Sequence, residues 1–306
     1  MAFSLIIFHV RPHQDVSDFL TIRSLMAARA PDIRVGVLTH GEPVPDDFWT
    51  KMAARPTLIF SPFAIKIPDW IRGTRLISVA VPKTQELKIL RGLGAPVLET
   101  RVITPTLQLD EKEWGPFTVV KPDMGLLGGG VKLTRTKDVR WIDTRKLSED
   151  DPRHDKLLLA QRYIDTGPYV RCYRVLSVLG RPVYCALSTA LEKRQEFPPE
   201  GGEIPIAANN VARAITLVNE PAVIDLARAL HAKARKLPLM AFDIIREERT
   251  GRLYVLEYNS AGFSWHLSSD HGRKQQKEFN LNYYAQFKAL PTITEALIEA
   301  TRKYAT

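Results

Sequence analysis

Apolar and polar positions alternate regularly along residues 1–82. Short apolar runs predict four strands, at residues 3–10, 33–39, 57–61 and 75–81. Amphipathic segments between them predict two helices, at residues 15–30 and 46–54. This alternation is typical of a small open α/β unit, which we expect to end at Pro82. His9, Arg11 and His13 follow the first strand, where α/β sheets place ligand crevices, although a polar loop would have the same residues.

Beyond Pro82 the pattern predicts further helices and paired strands. A helix begins at Lys83 and ends near Gly92 and Gly94. Strands are predicted at residues 157–163, 170–179, 182–189, 239–246 and 252–259, and a helix at residues 222–236. The stretch 196–205 is rich in proline and glycine and predicts a loop. The C-terminal segment has a helical pattern that we expect to be interrupted at Pro291.

A glycine-rich hairpin is predicted between residues 117 and 134, FTVVKPDMGLLGGGVKLT. An apolar strand runs to Lys121, and the alternation from Val131 predicts a second strand. That second strand excludes a Walker A loop and a dinucleotide fingerprint, because in both the glycines open a helix. The glycines are Gly125, Gly128, Gly129 and Gly130. Their bare backbone N–H groups and the preceding lysine suit a phosphate, although a flexible surface hairpin would have the same pattern.

Two carboxylates interrupt strongly apolar strands in the segment 239–259. Asp243 lies in the sequence LMAFDII, and Glu257 follows YVL. If the hairpin is centred near Thr250, Asp243 lies about opposite Glu257, and Asn259 shares the face of Glu257. Buried carboxylates need a compensating charge, and Mg²⁺, which takes oxygen ligands, supplies one. Exposure to solvent or pairing with arginines is the alternative explanation.

Composition indicates the class of protein but does not identify the ligand. The chain has 306 residues, 45% hydrophobic and 25% charged, as in ordinary globular proteins. The apolar run at residues 3–10 is too short to span a bilayer, so no membrane partner is expected. Cys172 and Cys185 lack metal-ligand spacing and fit a reducing cytosol, which predicts a cytoplasmic protein. The net charge of +9 favours an anionic ligand, but the basic residues are dispersed, so nucleic acid is not the favoured partner.

Taken in chain order, these motifs make the sequence similar to the ATP-grasp superfamily, especially the ribosomal-protein glutamate ligases. D-alanine–D-alanine ligase and glutathione synthetase resemble it more distantly. The similarity covers about residues 83–262. Its elements are Lys83 at a helix start, VVKP before the glycine flap, the hinge LLAQRYI, Asn210-x-x-Arg213 before a helix, and Asp243 with Glu257-x-Asn259.

The resemblance implies the ATP-grasp fold, an α/β and α+β architecture in which two α+β lobes hold ATP between them. A small open α/β N-terminal domain, residues 1–82, would precede the ATP-grasp domain, residues 83–306. The first lobe, residues 83–163, would carry the glycine flap. The second lobe, residues 164–306, would carry the metal hairpin and the C-terminal helices.

The resemblance also implies roles for individual residues. Phosphates would be bound by Lys83, Lys121 and the flap glycines Gly125, Gly128, Gly129 and Gly130. The adenine would meet the hinge, around Gln161, Arg162 and Ile164. Mg²⁺, with Mn²⁺ as an alternative, would be held by Asp243, Glu257 and Asn259. The transferring phosphoryl group would be neutralised by Arg213 with help from Arg171, and Asn210 would be a metal-side or substrate contact.

Two hinge positions depart from the family pattern. Arg162 stands where the family often has a glutamate, and Tyr169 lies where an acid commonly binds the ribose hydroxyls. Ribose recognition therefore differs here, or another acid such as Asp165 substitutes.

The implied reaction is the ATP-dependent joining of a carboxylate to an amine. The carboxylate attacks the γ-phosphate to give an acylphosphate and ADP, and the amine then displaces phosphate to form an amide. Small-molecule carboxylates and amines, such as amino acids or peptides, are the expected substrates, and dimers are common in the family. The alternatives are an ATP-binding regulatory protein without turnover, and a ligase acting on an RNA- or protein-borne substrate.

Overall fold

The computed structural model describes residues 2–125, 128–196, 202–206 and 211–306. These residues form one four-stranded sheet and two five-stranded sheets. Residues 197–201 of the predicted loop at 196–205 lie outside the described residues.

The N-terminal sheet is parallel. Its elements are β1 (Phe3–His9), α1 (Val16–Arg29), β2 (Ile33–Thr39), α2 (Asp46–Ala53), β3 (Thr57–Ser61) and β4 (Thr74–Ile77). The strand order is β2-β1-β3-β4. The predicted alternation of strands and helices is confirmed, but β4 ends before residue 81. β4 ends at Ile77 because its partner strand, β3, ends at Ser61, which lies directly opposite.

The rest of the chain contributes ten strands and five helices among the described residues. In chain order the strands are β5 (Thr100–Val102), β6 (Phe117–Pro122), β7 (Lys132–Arg135), β8 (Leu158–Arg162), β9 (Arg171–Val178), β10 (Arg181–Ala190), β11 (Glu203–Pro205), β12 (Arg213–Leu217), β13 (Leu239–Arg246) and β14 (Leu253–Asn259). The helices are α3 (Lys83–Gly92), α4 (Glu111–Trp114), α5 (Pro221–Lys233), α6 (Asp270–Glu278) and α7 (Ala289–Tyr304).

These ten strands form two antiparallel sheets, each built around one of the predicted hairpins. The flap sheet has the order β11-β7-β6-β8-β5, and its β6–β7 hairpin carries the glycines. The carboxylate sheet has the order β12-β10-β9-β13-β14, and its β13–β14 hairpin carries the two carboxylates. Both predicted hairpins are therefore confirmed.

A single hydrophobic core joins the N-terminal sheet to the carboxylate sheet. Phe19 of α1 and Trp265, which follows β14, are fully buried in it with apolar residues of β1, β9 and β10. Asp18 lies buried beside this core and accepts hydrogen bonds from Trp265 Nε1 (2.8 Å), Ser268 Oγ (2.6 Å) and the Tyr284 hydroxyl (2.8 Å). Three donors satisfy its carboxylate, so α1 is fixed to the segment that follows β14.

The C-terminal helices differ from the prediction at Pro291. This proline lies in the first turn of α7 instead of interrupting a helix. The N–H groups of a first turn have no acceptor within the helix, so a proline there costs no hydrogen bond. The break between the two helices falls earlier, between Glu278 and Ala289.

The predicted domain boundary at residue 82 falls between β4 and α3, and it remains a prediction. Within the described part of the chain, none of the helices has the length and apolarity needed to cross a membrane. The cytoplasmic location and the dimer also remain predictions.

Candidate functional site

A cavity of about 550 Å³ lies between the flap sheet and the carboxylate sheet. Thirteen of the fifteen predicted site residues line it: Lys83, Lys121, Gly125, Gly128, Gly129, Gln161, Arg162, Ile164, Arg171, Arg213, Asp243, Glu257 and Asn259. Asn210 lies outside the described residues. Gly130 is described but is not among the lining residues. Residues separated by more than a hundred positions in sequence are thus brought to one site.

Lys83 connects the two halves of this site. It is the first residue of α3, and its Nζ donates to the carbonyl of Gly125 in the flap at 3.3 Å. The same Nζ lies 3.5 Å from Oε2 of Glu257 on β14. Burial alone would raise the pKa of Glu257, but the charges of Lys83 and Lys121 outweigh it and hold that pKa below its ordinary value.

Lys121 is the most deeply buried cation of the site, with 5% of its surface exposed. Its Nζ donates to Oε1 of Gln161 at 3.1 Å, and the Gln161 amide in turn donates to Oγ1 of Thr100. Burial lowers the pKa of Lys121, and the nearby charge of Glu257 opposes that shift. A buried ammonium with one neutral hydrogen-bond partner is suited to an anionic ligand.

The start of α3 is held by Asp123, a residue that the sequence analysis did not identify. Its Oδ1 accepts from the backbone N–H of Thr84 at 2.8 Å, and its Oδ2 lies 3.2 Å from Oγ1 of Thr84. Its carbonyl accepts from the N–H of Lys83 at 3.0 Å. Asp123 therefore caps α3 from the flap hairpin and fixes Lys83 against the flap. Local sequence gives no sign of this cap, because 39 residues separate Asp123 from Thr84.

The flap glycines differ in their backbone conformation and in their packing. Gly128 and Gly130 have φ values of +73° and +72°, a backbone conformation that favours glycine. A Cβ on Gly130 would lie 2.8 Å from Cγ of Arg153, so the absence of a side chain there also serves packing. Residues 126 and 127 of the flap lie outside the described residues.

The carboxylate hairpin has the predicted register. Asp243 on β13 is the direct partner of Glu257 on β14, and the register shifts immediately after Asp243. Asn259 ends β14 two positions further on. The amide nitrogen of Asn259 is buried and has no hydrogen-bond partner among the described residues, so a ligand oxygen could satisfy it.

Arg174 is a second residue that the sequence analysis missed. It lies on β9 as the direct partner of Asp243 on the side opposite Glu257. Its Nε and Nη2 donate to the two carboxylate oxygens of Asp243 at 2.8 and 2.7 Å, a bidentate ion pair. The sequence analysis named Arg171 on the same strand. Choosing between the two arginines requires the pairing of β9 with β13, which no local pattern supplies.

These residues fit a magnesium ion that arrives with a nucleotide. Among the described residues, no group of three or more His, Cys, Asp or Glu side chains is placed to hold a metal ion. The site instead offers two carboxylates and one amide, Asp243, Glu257 and Asn259. Magnesium is commonly bound by one or two carboxylates together with substrate phosphates, so a set of this size is compatible with such an ion.

The β10–β12 side of the cavity carries a cation, a buried tyrosine–histidine pair and an exposed histidine. Arg213, the first residue of β12, forms no ion pair with any described residue. Burial and the charge of Arg174 lower its pKa. His266 is 4% exposed, and its Nδ1 lies 3.1 Å from the Tyr184 hydroxyl. The ring of His271 lies 5.2 Å from that of His266. This side of the cavity suits a partly anionic substrate.

The N-terminal unit also reaches the cavity, through His13. Its ring stacks on Phe63 at 4.9 Å and meets the edge of Phe263 at 4.8 Å. His13 lines the cavity, as its place after the first strand suggested. His9 does not line it, because its ring is fully buried with Nε2 3.0 Å from Oγ1 of Thr39. Arg11 also lies elsewhere and pairs with a surface glutamate.

The hinge is arranged so that its end faces the cavity. Gln161 pairs with both neighbouring strands of the flap sheet, so its backbone groups take part in the sheet. Ile164, beyond the end of β8, is outside that ladder and lines the cavity. Asp165, the proposed substitute acid, does not line the cavity and forms an ion pair with Arg194 at 3.0 Å. Ribose recognition by Asp165 therefore remains a prediction.

Comparisons with known proteins bear on the fold. No protein-family model and no curated protein matches the chain. Among solved structures, the ATP-grasp ligase PsnB, complexed with a phosphomimetic variant of its minimal precursor, Mg and ADP, aligns with a TM-score of 0.50 at 15% identity, over 98% of this chain and 99% of that one. The macrocyclase MdnC, bound with its precursor peptide MdnA from Microcystis aeruginosa MRC, aligns with a TM-score of 0.50 at 13% identity, over 97% of this chain and all of that one.

D-alanine–D-alanine ligase from Bacillus anthracis aligns with a TM-score of 0.48 at 17% identity, over 99% of both chains. The two alignments with a TM-score of 0.50 extend over nearly the whole of each chain. At identities this low they speak for the fold alone. The chain has the ATP-grasp fold, as its ordered motifs predict.

Proposed function

We propose that this protein is an ATP-dependent carboxylate–amine ligase. The observation that carries the proposal is the position of Lys83, whose Nζ touches both the glycine flap and Glu257 of the carboxylate hairpin. A phosphate chain lying between the two sheets would meet this lysine, Lys121 and the flap together. Phosphoryl transfer depends on positioning and on charge neutralisation more than on a protein nucleophile, and these residues provide both.

Asp243, Glu257 and Asn259 would hold magnesium in this proposal. The ion would neutralise the β- and γ-phosphates and polarise the phosphorus that is attacked. Lys83 and Lys121 would bind the phosphate oxygens, and the flap would exclude water from the reacting groups.

The proposed reaction has two steps. A substrate carboxylate oxygen attacks the γ-phosphorus, the bond to the β-phosphate breaks, and ADP leaves with its electron pair. A neutral amine then attacks the acyl carbon, the bond from that carbon to the phosphate oxygen breaks, and inorganic phosphate leaves with the proton that the amine nitrogen loses, which forms an amide. Arg213, a cation without an ion-pair partner among the described residues, would stabilise the negative charge that develops in both steps.

Cys172 is disfavoured as a covalent nucleophile at this site. Cys172 lines the cavity, but burial raises the pKa of its thiol above the ordinary value. The thiolate, which is the nucleophilic form, is therefore disfavoured.

The substrates would be a small carboxylate and an amine, either of which a peptide could carry. The PsnB structure contains a variant of its minimal precursor and the MdnC structure contains a precursor peptide, which makes a peptide substrate worth testing. Release of ADP and of amide products should be measured by mass spectrometry against amino acids and short peptides. Stimulation of ADP release by at least one carboxylate–amine pair is the expected result.

A nucleotide-binding protein without turnover is the second candidate. The bidentate pair between Arg174 and Asp243 favours it, because it occupies both oxygens of one proposed metal ligand. Tight binding of ATP with no ADP release in the presence of any acceptor would support this second function.

Glu257→Gln tests the site assignment once turnover by the wild-type protein has been measured. In a ligase this substitution should abolish ATP turnover while circular dichroism and thermal unfolding show an intact fold. Arg302→Gln, which removes a surface ion pair with Asp32, is the control and should leave turnover unchanged. Near-normal turnover by Glu257→Gln would contradict the site assignment.

A further inference from the structure

A row of four charges crosses the carboxylate sheet at the proposed metal site. Arg174, Asp243 and Glu257 are direct partners across β9, β13 and β14. Lys83 continues the row, with Nζ 3.5 Å from Glu257. The charges along the row are positive, negative, negative and positive, so the two carboxylates are already neutralised by protein cations.

Arg174 neutralises Asp243 through an ion pair that would compete with a metal ion for the same carboxylate oxygens. Each carboxylate oxygen of Asp243 accepts one guanidinium N–H, at 2.8 and 2.7 Å. The pair is partly buried, with side-chain exposures of 29% for Arg174 and 11% for Asp243. Charge-assisted bidentate bonds with little access to water are among the stronger polar contacts in proteins.

We propose that Arg174 is a resident counter-ion for Asp243, which makes the site accept a divalent cation together with a nucleotide and disfavours the free cation. This inference rests on the proposed function, because it assigns Asp243 to the metal. Arg174 is a positioning residue, since it acts through the carboxylate it holds.

The preference for a cation bound to a nucleotide follows from the contacts that would replace the ion pair between Arg174 and Asp243. A free dication would have to displace the guanidinium from Asp243 and would then lie beside an unpaired cation. A dication that carries phosphates brings its own negative charge, and phosphate oxygens accept the same planar guanidinium fork that the carboxylate accepted. Arg174 can then exchange Asp243 for a phosphate oxygen without losing its hydrogen bonds.

The test uses Mn²⁺ as the probe and the full chain freed of nucleotide. Binding is followed by the loss of the electron paramagnetic resonance signal of free Mn²⁺, with and without a non-hydrolysable ATP analogue, and the signal that the analogue removes in the absence of protein is subtracted. Wild-type protein should bind Mn²⁺ at least tenfold more tightly with the analogue than without it. Arg174→Gln should bind Mn²⁺ alone at least tenfold more tightly than wild type does.

Arg171→Gln is the matched control. Arg171 lies on the same strand and lines the same cavity, but no described carboxylate lies within ion-pair distance of it. Its loss should change the affinity for free Mn²⁺ much less than the loss of Arg174. If the two variants changed the affinity for free Mn²⁺ equally, the positive charge of the cavity as a whole would determine that affinity, and not the bidentate ion pair between Arg174 and Asp243. That result would overturn the inference.

Arg174→Lys keeps the charge but cannot hold both oxygens, and its affinity for free Mn²⁺ should fall between those of wild type and Arg174→Gln. It serves as the test if Arg174→Gln fails to fold. Unchanged affinity for free Mn²⁺ in both variants, with the analogue still bound normally, would overturn this inference alone. Absence of analogue binding by wild-type protein would instead overturn the proposed function.

Discussion

At the scale of single residues, Lys121 is the sharpest test of the nucleotide site. Its buried ammonium has one neutral partner, Gln161, and burying a charge in this way is costly. We expect Lys121→Met to weaken ATP binding at least tenfold, about 1.4 kcal/mol, without lowering the free energy of unfolding. Isothermal titration calorimetry and urea unfolding measure the two quantities. Lost stability with unchanged ATP affinity would make Lys121 a structural residue.

The raised pKa of Glu86 predicts how the stability of the protein depends on pH. It lies in the first turn of α3, and burial, together with the charge of Glu257, raises its pKa to about 8. Its pKa in the unfolded chain is about 4.3, so between the two values the folded state binds more protons and stability falls as pH rises. We expect Glu86→Gln to be more stable than wild type at pH 8 by about 4–5 kcal/mol, since each unit of pKa shift corresponds to about 1.4 kcal/mol.

The measurement for Glu86 is urea unfolding of both proteins between pH 5 and 8. The advantage of Glu86→Gln should shrink as the pH falls towards 5, because the wild-type carboxyl is then protonated in the folded protein. A stability difference that stays constant over this range would show that Glu86 does not titrate as proposed.

At the scale of elements, the cap of α3 links stability to the site. Asp123→Ala removes the acceptor for the N–H of Thr84 and should cost about 1–2 kcal/mol of stability. Because the same cap fixes Lys83, ATP affinity should also fall. The matched control is Asp110→Ala, which removes the cap of α4, where the carboxylate accepts from the N–H of Lys112. Asp110 does not line the cavity, so that variant should lose stability but keep its ATP affinity.

Both quantities should be measured on the same preparations, by urea unfolding and by titration with ATP. If Asp123→Ala and Asp110→Ala lower stability and leave ATP affinity equally intact, the cap does not position Lys83. Asp123→Asn retains an acceptor oxygen and is expected to lie close to wild type in stability.

At the scale of the whole molecule, the N-terminal unit packs against the segment that follows the carboxylate hairpin. Gly262, with φ at +93°, lies so close to Pro62 and Phe63 that a Cβ would overlap the carbonyl oxygen of Pro62. His13 and Phe263 meet at the same contact and line the cavity. The cavity is therefore completed by the packing of two parts of the chain.

Gly262→Ala should destabilise the protein through this contact. A matched control is Gly251→Ala, where φ is +69° and no atom lies within 4 Å of the added Cβ. The control should lose only the cost of a left-handed alanine, about 1–2 kcal/mol, and Gly262→Ala should lose clearly more. Equal losses of the free energy of unfolding in the two variants would mean that Pro62 and Phe63 move away from the added Cβ without a further loss of stability.

The amino-acid sequence by itself determined the local parts of this protein. Hydrophobic period and turn residues specify the strands of the N-terminal unit, the glycine hairpin and the carboxylate hairpin, because each depends on neighbours in sequence. The approximate opposition of Asp243 and Glu257 follows from the same local rule, whereas their exact pairing depends on the register shift after Asp243, which only the structure shows. The ordered motifs were also sufficient to predict the ATP-grasp fold.

Only the tertiary structure decided which distant groups meet. Arg174 faces Asp243 because β9 lies beside β13 in the sheet, and Asp123 caps α3 because the flap hairpin packs on that helix. His13 reaches the cavity because the N-terminal unit packs on the segment after β14. Local periodicity shows which face of a strand is buried but not which strand lies next to it. Burial and packing of the whole chain set those neighbours, and with them the charge balance of the site.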